Sequence, residues 1–129
     1  MKHRKLPLIL LLTMVSLFTQ AQSVKQLDAQ NFEKKMKELK EATLLDVRTQ
    51  GEYAQGHLAN ATLADIYGSD FKTKLSKLDK SKPVFVYCKA GSRSGSAVNI
   101  LSGMGFKEIY DLNGGITAWR QANKPIEIK

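Results

Sequence analysis

Val84-Phe-Val-Tyr87 is an unbroken apolar run of β-branched and aromatic residues, with Pro83 before it and Cys88-Lys-Ala-Gly-Ser92 after it. A run with no polar face suits a strand covered on both sides, the central position of a parallel sheet. Its neighbours complete an alternating pattern. Residues 24–27 form a short leading strand. Asp28 then caps a helix to about Lys40 whose buried stripe is Phe32, Met36 and Leu39. Residues 43–47 read as a strand, and Thr49-Gln-Gly-Glu52 has capping-box spacing for a short helix ending near Gly56. A weaker strand falls within residues 61–66. Ser69 or Asp70 caps a helix with Phe71, Leu75 and Leu78 inward. After the central strand comes a helix from about Arg93 with Ala97, Ile100, Leu101 and Met104 on one face. A strand within residues 106–112 and a final helix containing Trp119 close the pattern. The fold class is α/β with a mainly parallel sheet.

The 129 residues leave room for one ordinary domain. Lys2, His3, Arg4 and Lys5 precede an apolar stretch over residues 6–18, then Thr19-Gln-Ala21. That order is a signal peptide, residues 1–21, with cleavage expected after Ala21. The domain proper is then residues 22–129, exported to the periplasm or secreted. The apolar stretch is short for a span of about 20 residues, so no stable membrane insertion is expected after cleavage; an uncleaved anchor tethering the domain is the competing reading. Removing Lys2, Arg4 and Lys5 lowers the basic count from 20 to 17 against 12 acids, and the charge from +8 to +5. The other lysines sit mostly opposite apolar helix stripes and read as solvated faces, so nucleic acid is not expected as a partner.

Cys88 is the single cysteine and, after cleavage, His57 the single histidine. No zinc-type spacing exists, so neither metal nor cofactor is expected. In an exported chain a lone thiol is either buried and inert or in use. The strand delivers Cys88 to the carboxyl edge of the sheet, where open α/β folds bind ligands. Small residues and a helix start follow, so backbone N–H groups can form an anion cradle around the sulfur. With Lys89 and Arg93, that field lowers the thiol pKa. Cys88 is therefore the candidate nucleophile. Lys89, Ala90, Gly91, Ser92, Arg93 and Ser94 are the candidate binding residues for the substrate anion. Asp46 and Arg48 read as a fold-supporting charge pair. Gly114-Gly115 reads as a tight turn and Trp119 as packing.

The chain resembles a single-domain rhodanese, a thiosulfate sulfurtransferase-type domain. The resemblance rests on Leu45-Asp-Val-Arg48, Glu52-Tyr53, Gly56-His-Leu58, Ala61, Cys88-Lys-Ala-Gly-Ser-Arg-Ser94, Gly114-Gly115 and Trp119. It implies a five-stranded, mainly parallel sheet flanked by helices on both faces. It also implies a Cys88 persulfide that takes sulfane sulfur from a small anionic donor such as thiosulfate and passes it to a thiophilic or thiol acceptor, a protein acceptor among them. His57 falls in a structural turn of that family, and a thiolate held by its loop needs no base. The chain has Leu58-Ala-Asn-Ala61 where the family commonly has Ile-Pro-Gly-Ala, which loosens a turn without touching a chemical group. Four residues separate Cys88 from Arg93, whereas related phosphatases have five. The shorter ring suits a sulfur atom better than a phosphoryl group. A non-catalytic persulfide carrier or sensor, a phosphatase or arsenate reductase, and a purely structural domain are the competing readings.

Overall fold

The computed structural model describes residues 2–5, 7, 9, 13 and 21–128. The leader reading over residues 1–21 therefore lies for the most part outside the described residues. Among those residues no helix is long and apolar enough to cross a membrane.

The elements run β1 (Ser23–Leu27), α1 (Ala29–Glu38), β2 (Thr43–Asp46), α2 (Gln50–Ala54), β3 (Thr62–Leu63), α3 (Phe71–Ser76), β4 (Val84–Tyr87), α4 (Ser92–Gly103), β5 (Glu108–Leu112) and α5 (Gly115–Gln121). The five strands form one sheet in the order β1-β5-β4-β2-β3. Every neighbouring pair is parallel, so the fold is α/β with the apolar β4 at its centre. Asp28 accepts from the Asn31 N–H at 2.8 Å and caps α1. Thr49 and Glu52 form a complete capping box on α2.

Alternation along β4 divides the core in two. Val84 and Val86 face Phe71, Leu75, Ala97, Val98 and Leu101 of α3 and α4, and Cys88 continues that side. Phe85 and Tyr87 face Ala29, Phe32, Ile116 and Trp119 of α1 and α5. Phe85 meets Phe32 edge-on at 5.2 Å and stacks on Tyr110 at 4.7 Å. Trp119 is buried edge-on to Phe32, its indole N–H donating to the Pro125 carbonyl at 2.8 Å.

Two expectations needed adjusting. The strand within residues 61–66 shrinks to Thr62–Leu63, because only Leu45 and Asp46 of β2 offer it partners. Asp70 precedes α3 but its side chain does not cap it, lying instead 3.5 Å from Lys74.

The parallel arrangement brings the ends of β2, β4 and β5 to one edge, where a buried charge network ties β2 to β4. Arg48 donates through Nη2 to Asp46 Oδ2 at 2.7 Å and to the Gly56 carbonyl at 2.7 Å. The Tyr87 hydroxyl donates to Asp46 Oδ2 at 2.6 Å and accepts the Leu58 N–H at 3.1 Å. Burial opposes the Arg48 charge, but Asp46 more than offsets it and the guanidinium pKa rises. Burial and then Asp46 push the Tyr87 phenol far above its usual range, so Tyr87 stays a donor. The network thus fixes the residue immediately before Cys88 to both β2 and the segment after α2. Asp46→Ala leaves Arg48 buried without its carboxylate and should cost about 3–5 kcal/mol. Urea unfolding measures this, and an unchanged midpoint would show that the network does not hold this edge.

Candidate functional site

Cys88 follows β4 directly and is 1% exposed. The chain then turns through Lys89, Ala90 and Gly91 into α4. Gly91 takes φ +120, a conformation side chains resist, and this aims its N–H at the Cys88 sulfur at 3.0 Å. The thiol lies 3.5 Å from Ser94 Oγ, and the Ser94 hydroxyl donates to the Gly91 carbonyl at 3.1 Å. When the thiol ionises, that hydroxyl can rotate to donate to the sulfur instead.

Burial by itself would raise the thiol pKa. The Ser94 hydroxyl and the N–H groups of Ser94, Gly91 and Ala90 outweigh it, and the thiol falls below its ordinary value of 9.0. Cys88 is thus an enclosed sulfur in a ring of donors, biased toward thiolate. Such a sulfur can attack an electrophilic sulfur or phosphorus atom while its donors hold the charge that moves.

The six loop residues occupy different surroundings. Lys89, Ala90 and Ser92 are exposed, Gly91 and Arg93 half-buried, and Ser94 fully buried. Arg93 differs most from its sequence reading, in which it met the substrate anion. Its guanidinium grips Glu52 through two parallel bonds, Nη1 to Oε2 at 2.7 Å and Nη2 to Oε1 at 2.8 Å. Arg93 holds the Glu52 carboxyl far below the usual carboxylate range, against the opposing effect of burial. Because Glu52 also caps α2, the pair ties the start of α4 to that helix. The Arg93 charge still acts on Cys88 at longer range.

Asp46 and Arg48 form the buried pair already described. His57 is buried, stacked on Tyr53 with ring centres 3.8 Å apart, and its Nδ1 lies 3.0 Å from the Tyr53 carbonyl. Its backbone pairs with Glu127 in both directions, at 2.9 and 2.8 Å. None of these contacts reaches Cys88. Among the described residues no three His, Cys, Asp or Glu side chains gather as a metal site requires.

Two residues matter more than the sequence reading allowed. The first is Gly115, taken there only for a turn. The Ile116 and Thr117 N–H groups, at the start of α5, donate to the Cys88 and Lys89 carbonyls at 2.9 and 3.1 Å. A Cβ on Gly115 would stand 2.5 Å from the Cys88 carbonyl oxygen, and Gly115 takes φ +59. Its missing side chain lets α5 press on the cysteine loop.

The second is Asp111 on β5, 3% exposed, on the same sheet face as Ile109 and opposite Val86. Its Oδ1 has no hydrogen-bond partner. Burial raises its pKa, and the Ser94 hydroxyl and Gln26 side chain oppose that only in part. A lone acid in the apolar run Ile109-Tyr-Asp-Leu112 was the available sequence signal.

Comparison with known proteins agrees with this architecture. The family model "Rhodanese-like domain" matches residues 28–122. A sulfurtransferase of Allochromatium vinosum is 29% identical over 103 residues, 80% of this chain and 94% of its own. The thiosulfate sulfurtransferase GlpE of Coxiella burnetii is 38% identical over 81 residues, 63% of this chain and 74% of its own. The crystal structure of a rhodanese-related protein from Thermoplasma volcanium superposes with a TM-score of 0.71 at 31% identity, covering 81% of this chain and 99% of that one.

Two outcomes follow from this geometry. Gly115→Ala forces the loop away from α5 and misaligns its N–H groups, so the Cys88 thiol should titrate closer to 9.0. The rate of alkylation by iodoacetamide against pH reads this directly, and an unshifted profile would count against the clamp. Asp111 binds its proton more tightly folded than unfolded, so its contribution to stability is full below pH 3.8 and is lost as pH rises through the folded value. Asp111→Asn should therefore melt higher than the parent at neutral pH, the gap closing in acid.

Proposed function

The chain belongs to the rhodanese-like domain family, and from that premise we propose that it transfers sulfane sulfur through a persulfide on Cys88. The observation that carries this is the enclosed Cys88 sulfur, held below its ordinary pKa by the Ser94 hydroxyl and the N–H groups of Ser94, Gly91 and Ala90. The thiolate attacks the outer sulfur of a donor such as thiosulfate. A new sulfur–sulfur bond forms at Cys88, the donor's own sulfur–sulfur bond breaks, and its electron pair leaves with sulfite. A nucleophilic acceptor then attacks the outer sulfur of the Cys88 persulfide, and the thiolate is restored. Each half is a displacement at sulfur in which the nucleophile supplies an electron pair and the leaving group carries one away, so neither oxidant nor metal is needed. The donors around Sγ hold the anion throughout.

The Arg93–Glu52 pair favours this reading over phosphate hydrolysis. A phosphoryl group calls for a guanidinium free to clamp two of its oxygens. Here that fork already holds a carboxylate. Sulfur needs only the backbone donors.

The test combines intact mass with turnover. Incubation with thiosulfate should add one sulfur atom to the parent and none to Cys88→Ala. Addition of cyanide should then release thiocyanate over many cycles, with Cys88→Ala at background. Equal rates in the two proteins would overturn the proposal. A stable persulfide without turnover would make the domain a carrier.

A further inference from the structure

Asp111 lies on the same side of the sheet as the nucleophile. On β5 it stands opposite Val86 of β4 and Gln26 of β1, and Val86 and Cys88 share one side of the core, under α4. The Asp111 side chain is buried, and its Oδ1 has no hydrogen-bond partner. The Ser94 hydroxyl joins the two groups. It acts on the Asp111 carboxyl, and its oxygen lies 3.5 Å from the Cys88 sulfur. Among the described residues, the other groups facing Asp111 carry no charge. β1 brings Gln26 and α4 brings Ser94, while α3 and α4 otherwise pack Phe71, Leu75, Val98 and Leu101 on this side.

Hydrogens are scarce along this row. With Cys88 and Asp111 both ionised, the one Ser94 hydrogen would face two anions and the Gly91 carbonyl. The carbonyl has a second donor, the Gly95 N–H at 3.0 Å, so Ser94 can leave it without stranding it. The sulfur keeps its loop N–H groups, but the carboxylate would stay buried with an oxygen unpaired. One proton on Asp111 removes the conflict: the carboxyl donates to Ser94 Oγ, and Ser94 donates to the sulfur. With the thiol protonated the same row runs the other way, S–H to Ser94 and Ser94 to the carboxylate.

Resting on the sulfur-transfer reading, we infer that Asp111 is a positioning residue for that reaction, taking up the Cys88 proton through the Ser94 hydroxyl and holding it while the sulfur is charged. The sulfur–hydrogen bond breaks as its hydrogen joins Ser94 Oγ, and the hydrogen already on Ser94 moves to Asp111. The electron pair stays on sulfur, so the negative charge passes from carboxylate to thiolate and no proton is released. The thiol is enclosed, and an internal acceptor spares it a path to water. The lowered thiol and the raised carboxyl approach each other, as a shared proton requires. Attack on thiosulfate then replaces the thiolate by a persulfide anion and releases sulfite, leaving the charge at the site unchanged. An ionised Asp111 would add a second negative charge and repel the dianionic donor.

The test follows the Asp111 carboxyl of the full chain by carbon-13 NMR against pH, in the parent and in Cys88→Ser, whose hydroxyl does not ionise. Asp111 in the parent should keep its proton to a pH at least about one unit higher, the coupling at which two groups titrate as a pair. Identical titrations would overturn the shared proton, whether or not the Asp111 variants fold. Thiosulfate loading at neutral pH, followed by intact mass, reads the consequence. Asp111→Leu should load about tenfold more slowly than the parent, the scale of one hydrogen bond to a charged group. Asp111→Asn, whose amide still donates to Ser94, should recover part of that rate. Loading of Asp111→Leu at the parent's rate, or no recovery in Asp111→Asn, would overturn the role. The NMR titration needs no sulfur donor, so a parent that titrates as described but never gains a sulfur atom would overturn the transfer reading alone.

Discussion

A buried sulfur enclosed by backbone N–H groups dictates the chain around it. Each peptide that turns its N–H inward turns a carbonyl outward, and those carbonyls need donors in a crowded part of the fold. Helix α5 provides them. The first N–H groups of a helix have no partner within it, and here the Ile116 and Thr117 N–H groups meet the Cys88 and Lys89 carbonyls. Two sets of unpaired groups cancel at one contact. The contact is close enough to exclude a side chain at position 115, and so the β5–α5 turn ends in Gly114-Gly115. The glycines are part of the sulfur site although neither touches the sulfur.

Two charge networks hold the rest of the loop in place. Asp46, Arg48 and Tyr87 anchor the residue before the cysteine, and Glu52 with Arg93 anchors the helix after it. The two meet through α2: Arg48 bonds the Gly56 carbonyl beyond its end, while Glu52 caps its start. A five-residue helix that buries no residue of its own is thereby fixed at its start by an ion pair and at its end by a guanidinium–carbonyl hydrogen bond. Ion pairs withdrawn from water, fully at Asp46–Arg48 and partly at Glu52–Arg93, contribute little net stability compared with apolar packing, but they discriminate sharply between placements. Here they specify where the loop begins and ends.

The strands and most helices were legible because their signals are local. The apolar run of β4, the Phe32–Met36 spacing of α1 and the Thr49-Glu52 box each declare an element within a few residues. Residues 61–66 were misjudged in length because an edge strand lasts only as long as its neighbour, and that limit lies in β2. The site was legible at Cys88, where strand, small residues and helix start are contiguous. It was not legible at Arg93, because nothing near Arg93 shows that Glu52, forty-one residues away, will take its guanidinium. Gly115 and Asp111 escaped for the same reason. The first is defined by a carbonyl twenty-seven positions earlier, the second by a hydroxyl on the helix packed over it.

The commitment of Arg93 changes what the short loop means. Counting residues between Cys88 and Arg93 treats the arginine as a ligand whose distance sets the size of the cradle. With the guanidinium turned to Glu52, the ring ends at Ser94, and its donors are N–H groups and one hydroxyl around a single buried atom. A ring of that kind has no free fork for a tetrahedral anion. It can still stabilise negative charge on Sγ or on a sulfur attached to it, because both sit inside the same donors. In the proposed transfer, selectivity between sulfur and phosphorus comes from the α2–α4 ion pair, a contact made outside the loop, as much as from the number of residues within it.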